Sequence, residues 1–96
     1  MTQPETPSHV ETDAARLKRL AMRSWRRGTK EMDLILGPFA DAHLAGLSPD
    51  DLGAYDALLA ENDQDLYPWI TGSQAAPAEH AALIGLIGDF ARRRLR

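Results

Sequence analysis

The sequence predicts an all-α fold, a small single-domain bundle of about five helices. Three observations lead there. Apolar residues recur at i, i+3 and i+4 in several stretches, the spacing of a one-sided helix. No stretch alternates apolar and polar with a period of two, so no strand is assigned. And Ser48-Pro49-Asp50-Asp51 spells a helix start, with an N-cap hydroxyl, a proline at the first helical position and acids in the first turn. Connections are short and there is no internal repeat.

Residues 1–12 hold Pro4 and Pro7 among small and polar residues and read as a disordered N-terminal tail, leaving 13–96 as the helical domain. Asp13 is the expected N-cap of a first helix starting at Ala14. Leu17, Leu20, Ala21, Ser24 and Gly28 fall on one stripe of it, and Arg16, Arg19, Arg23, Arg26 and Lys30 on another. Ser24 and Gly28 are small enough to admit a neighbouring backbone. Gly28 costs about 1 kcal/mol in a helix relative to Ala, so the helix ends or turns there. A second helix begins at Thr29 or Lys30, with Glu31 and Asp33 where the helix dipole favours acids.

Met32, Leu34, Ile35, Leu36 and Phe39 give that helix its apolar surface. Gly37-Pro38 predicts a kink or break, because Pro38 lacks the N–H that would bond to Leu34. Gly46 stops what continues. In the third helix Leu52, Tyr55, Leu58 and Leu59 share a face. Asp63 is expected to cap a short fourth helix through Leu66, Trp69 and Ile70 to Gly72. Pro77 opens the last helix, with Leu83, Ile84, Leu86, Ile87, Phe90 and Leu95 inward and Arg92, Arg93, Arg94 and Arg96 in its final turn.

Composition excludes several function classes. There is no Cys, hence no disulfide framework, thiolate metal site or thiol catalysis. No apolar run approaches the roughly 20 residues that span a bilayer. The first thirteen residues hold Glu5, Glu11 and Asp13 and no Lys or Arg, unlike a transit peptide, so the expected location is a bacterial cytoplasm. His9, His43 and His80 are scattered without metal-ligand spacing. Ser8, Ser24, Ser48 and Ser73 lack the context of a nucleophile, and there is no glycine-rich phosphate loop. The cluster Glu61-Asn62-Asp63-Gln64-Asp65 lacks the central glycine and final glutamate of a calcium loop; beside Tyr67 and Trp69 it offers capping, solvation or a flat acidic face for a protein.

Charge changes sign at one place. Seven Lys and Arg lie between 16 and 30; from 31 to 91 there are eleven Asp and Glu and no Lys or Arg. Arg27-Gly28-x-x-Glu31 sits at the switch. By itself an Arg and a Glu four apart make a surface ion pair worth well under about 1 kcal/mol.

The context is more specific. Arg23-x-Trp25-Arg26-Arg27-Gly28-Thr29-Lys30-Glu31-Met32-Asp33-Leu34-Ile35-Leu36-Gly37 resembles the flavinylation factors of succinate dehydrogenase, the SdhE (YgfY-like) family, whose RGxxE motif is matched by Arg27, Gly28 and Glu31. The resemblance continues through Phe39, Leu47-Ser48-x-x-Asp51, Tyr55-x-x-Leu58-Leu59 and Asp63-x-Asp65-Leu66-x-x-Trp69-Ile70.

That resemblance implies a non-enzymatic, chaperone-like assembly factor. It would help the flavoprotein subunit of succinate dehydrogenase, with fumarate reductase as a second client, to join a histidine covalently to FAD. It further implies that Trp25, Arg27, Gly28, Glu31, Asp65 and Trp69 bind the partner, with Arg27 and Glu31 on one exposed face. The factor would work as a monomer, with FAD handled by the client and no stably bound cofactor, metal, nucleic acid or membrane insertion. Two other classes compete with it: a small helical regulator gripping nucleic acid through 16–30, and a toxin–antitoxin component.

Overall fold

The computed structural model describes residues 11–94, and the expected all-α architecture is found there: five α-helices, with no strand among the described residues. They are α1 (Asp13–Trp25), α2 (Lys30–His43), α3 (Pro49–Leu59), α4 (Asp63–Thr71) and α5 (Ala81–Arg94), with a 3-10 turn Leu44–Gly46 after α2. Residues 1–10 of the expected tail, and Leu95 and Arg96 of the last helix, lie outside the described residues.

Thr12 rather than Asp13 caps α1; its hydroxyl accepts the Ala15 N–H at 3.0 Å, and Asp13 is the first helical residue. The helix stops at Trp25, three residues before Gly28, whose φ of +102° belongs to a turn. Thr29 caps α2 and Ser48 caps α3, the latter through the Asp51 N–H, as its sequence predicts. The break expected at Gly37-Pro38 does not occur: α2 runs through both residues. Pro38 removes one bond to Leu34, but Leu36, Gly37, Phe39 and Ala40 around it are buried, and that packing holds the helix together.

Asn62 occupies the N-cap of α4 in place of Asp63, and Gly72, at φ +88°, ends the helix in the left-handed conformation. Pro77 opens a turn, not α5: the His80 N–H bonds to its carbonyl, and α5 starts at Ala81.

The α1–α2 pair is the most extensive helix contact, and α5 closes the bundle against α2 and α4. Leu20, Leu36, Phe39, Tyr55, Leu58, Leu66 and Ile87 form the centre of the core. Two residues placed on core faces by periodicity, Leu34 and Leu86, are exposed instead. Gly37 is buried because the Trp25 ring lies on it; a Cβ there would collide with the indole. Trp25 also donates its Nε1–H to Asp41 at 3.1 Å.

α1 is fastened to α3 by side chains. Ser24 donates its hydroxyl to Leu20 O at 2.8 Å, so the Tyr55 hydroxyl, 2.6 Å away, donates to Ser24. Burial pushes the Tyr55 phenol up to about 12. Outside this buried pair, Arg19 and Arg23 converge on Asp56 at 3.0 and 2.8 Å. Glu11 joins them through Arg19 at 2.7 Å.

Two outcomes follow from these contacts. Ser24→Ala strands the Tyr55 hydroxyl in the core and is expected to destabilise by about 1–3 kcal/mol. Adding Tyr55→Phe removes the stranded group, so urea unfolding of the double variant should show less loss than the two single losses summed. Asp56 behaves differently. Hydrogen bonding from Arg19 holds its carboxyl below the usual carboxylate value. Its contribution is therefore complete above the unfolded-state pKa and is lost as pH falls through the folded one. Asp56→Asn is expected to lower the urea midpoint near neutrality, and the gap from the parent protein should close as pH drops below about 4.

Candidate functional site

The residues at the charge switch are separated by the fold. Arg27 follows the end of α1 with its side chain only 11% exposed. Its guanidinium donates Nε–H to Asp63 at 2.9 Å, one terminal amine to Leu59 O at 2.6 Å and the other to Glu61 O at 2.8 Å. Its backbone N–H donates to the Asp33 carboxylate at 2.6 Å. Arg27 therefore clamps the α1–α2 turn to the α3–α4 turn. The Leu59 carbonyl is one that the C-terminus of α3 leaves unsatisfied; Glu61 lies two residues past that end, and Asp63 starts the next helix.

This corrects the expectation that Arg27 and Glu31 share an exposed face. The i, i+4 spacing makes neighbours only within one continuous helix, and Gly28 breaks that helix. Glu31, in the first turn of α2, points outward and has no ion-pair or hydrogen-bond partner among the described residues. Nor does Gly28 serve a close approach within the chain: nothing lies within 4 Å of where its Cβ would be. Its role is the positive φ, which costs an L residue about 1–2 kcal/mol.

Of the other expected partner residues, Asp65 is exposed in the first turn of α4. Trp25 is 39% exposed and lies across Gly37 of α2. Trp69 is turned inward: it packs on the core, with its ring 5.8 Å from that of His80.

What the fold does gather beside Gly28 is a groove of about 300 Å3 lined by Thr29, Glu31, Met32, Asp63, Gln64 and Tyr67. Met32 forms its buried floor, and Tyr67, 44% exposed, its aromatic wall. Tyr67 and Gln64 carry no motif and could be found only by placing α4 beside α2. The same holds for the clamp partner Asp63, which sequence reading assigned to capping.

A second grouping is also invisible in the linear chain. Buried His80 meets Glu61 at 2.9 Å through Nε2, with Glu79 3.8 Å away. Three such side chains could face a cation. The ring's other nitrogen argues against it. Nδ1 is buried without a partner, whereas a metal-bound histidine normally donates that N–H to an acceptor. With Nε2 donating to Glu61, the ring is a fastening between the turn before α5 and the α3–α4 turn.

Comparison with known proteins follows this geometry. The family described as flavinator of succinate dehydrogenase matches residues 18–91. Succinate dehydrogenase assembly factor 2, mitochondrial, of Aspergillus terreus is 48% identical over 61 residues, covering 64% of this chain and 20% of that protein. The protein of the same name from Candida glabrata is 47% identical over 53 residues, 55% of this chain and 35% of its own. Succinate dehydrogenase assembly factor 2-A, mitochondrial, of Drosophila erecta is 34% identical over 84 residues, 84% of this chain and 52% of its own. The chain thus spans between 20% and 52% of the length of these relatives.

Their names overturn the expected bacterial cytoplasm: the matched relatives are mitochondrial proteins of fungi and a fly. That expectation rested on the acid-bearing, Lys- and Arg-free residues 1–13, whose composition does not decide location. Among the described residues no helix is long and apolar enough to cross a membrane.

The geometry separates stability from surface. Arg27→Ala leaves two carbonyls and a carboxylate without their donor and is expected to cost about 2–4 kcal/mol. In a domain this size that lowers the melting temperature by roughly 10–25 °C. Arg27→Lys should recover little, since an ammonium cannot fork to three acceptors. Glu31→Ala should melt within about 0.5 kcal/mol of the parent. Differential scanning calorimetry of the three variants checks this ranking.

Proposed function

This chain belongs to the family of flavinators of succinate dehydrogenase, and on that premise we propose that it promotes covalent attachment of FAD to the flavoprotein subunit of that enzyme. It does so as a non-enzymatic, monomeric assembly factor, with fumarate reductase flavoprotein as a second client. The flavin is the client's cargo; the factor lends a rigid surface and supplies no reacting group.

One observation carries the reading. The Arg27 clamp fixes a turn whose outer side presents Gly28, with open space over it, and Glu31, a carboxylate with no partner of its own among the described residues. A charged group held on a rigid turn and left unpaired is suited to a partner. The groove walled by Tyr67 continues that surface with an aromatic side chain, a type enriched at protein interfaces. Asp65, exposed on the helix that carries Tyr67, and Trp25, exposed at the end of α1, are proposed as further contacts. Arg27 supports the turn from behind, and Trp69 packs on the core.

A nucleic-acid regulator is not favoured by the same geometry. Arg19, Arg23 and Arg27 are engaged with Asp56, Asp63 and backbone carbonyls, so three of the seven cations at 16–30 are already committed and not offered to phosphates. Nothing in the fold points to a toxin–antitoxin component.

The test is covalent flavin in purified apo-flavoprotein subunit, read by in-gel flavin fluorescence with and without the factor. Glu31→Ala is expected to keep its fold and lose most of the stimulated loading. Truncating one partner of a desolvated charge pair costs about 2–5 kcal/mol of binding, roughly 30-fold to several thousand-fold in affinity. Gly28→Arg should remain folded, weakened by the strained φ, and also fail. Full stimulation by Glu31→Ala would remove the surface from the mechanism.

A further inference from the structure

Of the seven cations at 16–30, Arg19, Arg23 and Arg27 are engaged internally, and two of the others, Lys18 and Arg26, flank an exposed methionine. Lys18 and Arg26 are exposed, and no carboxylate among the described residues lies within ion-pair distance of either. Between them Met22 is 41% exposed. Lys18 and Met22 are at i and i+4 on one face of α1, and Arg26, the C-cap residue at i+8, carries the row just past the end of the helix. The row runs through a groove of about 490 Å3 whose other walls are Ala15, Arg19, Arg23 and Arg27. Arg19 and Arg23 lean away toward Asp56, which leaves their alkyl stems to line it.

We propose that the Lys18–Met22–Arg26 row is a docking surface for an acidic, helical segment of the flavoprotein client carrying acid, apolar and acid side chains at matching i, i+4 and i+8 positions. This rests on the function proposed above, and it adds a second contact with its own chemistry. Three observations select the occupant. Two unpaired cations flanking a thioether call for two anions flanking an apolar group; methionine adapts readily to such a partner. A phosphate backbone would leave Met22 uncovered and would face the acids of 31–91, eleven against no Lys or Arg in that stretch. The row also ends at Arg26, two residues before Gly28, where the chain turns toward Glu31. A client lying over the turn would meet carboxylate on one side and cations on the other. That fixes its orientation, since the reversed pose sets like charges together.

The experiment titrates full-length protein against apo-flavoprotein subunit by calorimetry at two salt concentrations. Lys18→Glu/Arg26→Glu and Met22→Asp change exposed side chains and should melt like the parent. Each is expected to weaken binding at least about tenfold, and the charge-reversed pair should lose most of the salt dependence. Arg93→Glu/Arg94→Glu makes the same charge change at the end of α5 and should stay within about twofold. Equal losses from both double variants would mean a diffuse field and overturn the row. Parent-like binding by the row variants, with Glu31→Gln still defective, would overturn the row and leave the proposed function standing. Row-dependent binding of a duplex DNA in preference to the subunit would overturn the acidic-helix assignment. No binding of the subunit by the parent protein would overturn both readings together.

Discussion

The Arg27 guanidinium is the contact on which the arrangement of this small bundle depends. It reaches the carbonyls of Leu59 and Glu61 and the carboxylate of Asp63, while its own N–H is held by Asp33. One residue thus joins α1, α2, α3 and α4 at their meeting turns. The chemistry suits arginine. Carbonyls at the end of α3 carry the negative end of its dipole, and a planar fork satisfies them together with a carboxylate at fixed angles. A lysine could neutralise the charge but not the geometry.

From this clamp follows a division of labour within five consecutive residues. Arg27 faces inward and sets the turn; Gly28 takes the positive φ that the turn requires; Thr29 caps the helix beyond it; Glu31 is left outside. The exposed carboxylate stands where it does because the cation four residues earlier points the other way. An Arg-to-Glu spacing that looks like a surface ion pair is here a support and the thing supported. On the function proposed above, loss of either would impair the same activity for different physical reasons, one through stability and one through contact.

The helices were legible because each rests on local signals. Ser48-Pro49, the acids in the first turns and the apolar periodicity are properties of neighbours in sequence, and all five elements stand within a few residues of where they were expected. The errors share a cause. The break at Pro38 was overridden by burial of Leu36, Phe39 and Ala40, which depends on other helices. Leu34 and Leu86 have the right spacing for a core face, but no helix covers them. Asp63 looked like a cap because its partner is 36 residues away. His80 looked isolated because Glu61 is 19 residues away. The motif residues were visible as a pattern; their directions were not, because a left-handed glycine between them ends the helix that the spacing presumes.

The same logic changes the meaning of the charge switch at residue 31. In the sequence it separates a basic segment from an acidic one, as if two surfaces of opposite sign faced outward. In the fold much of that asymmetry is consumed inside the molecule: Arg19 and Arg23 close on Asp56, and Arg27 on Asp63. Segregating the signs along the chain is what lets α1 pair with the α3–α4 region, since a cationic helix is attracted to an acidic one and not to itself. What reaches the surface is the remainder, which includes Lys18 and Arg26 before Gly28 and Lys30, Glu31 and Asp65 after it. Net charge and charge blocks therefore describe how this chain closes on itself, and the charges that closure leaves unpaired are what the proposed function would give a partner to meet.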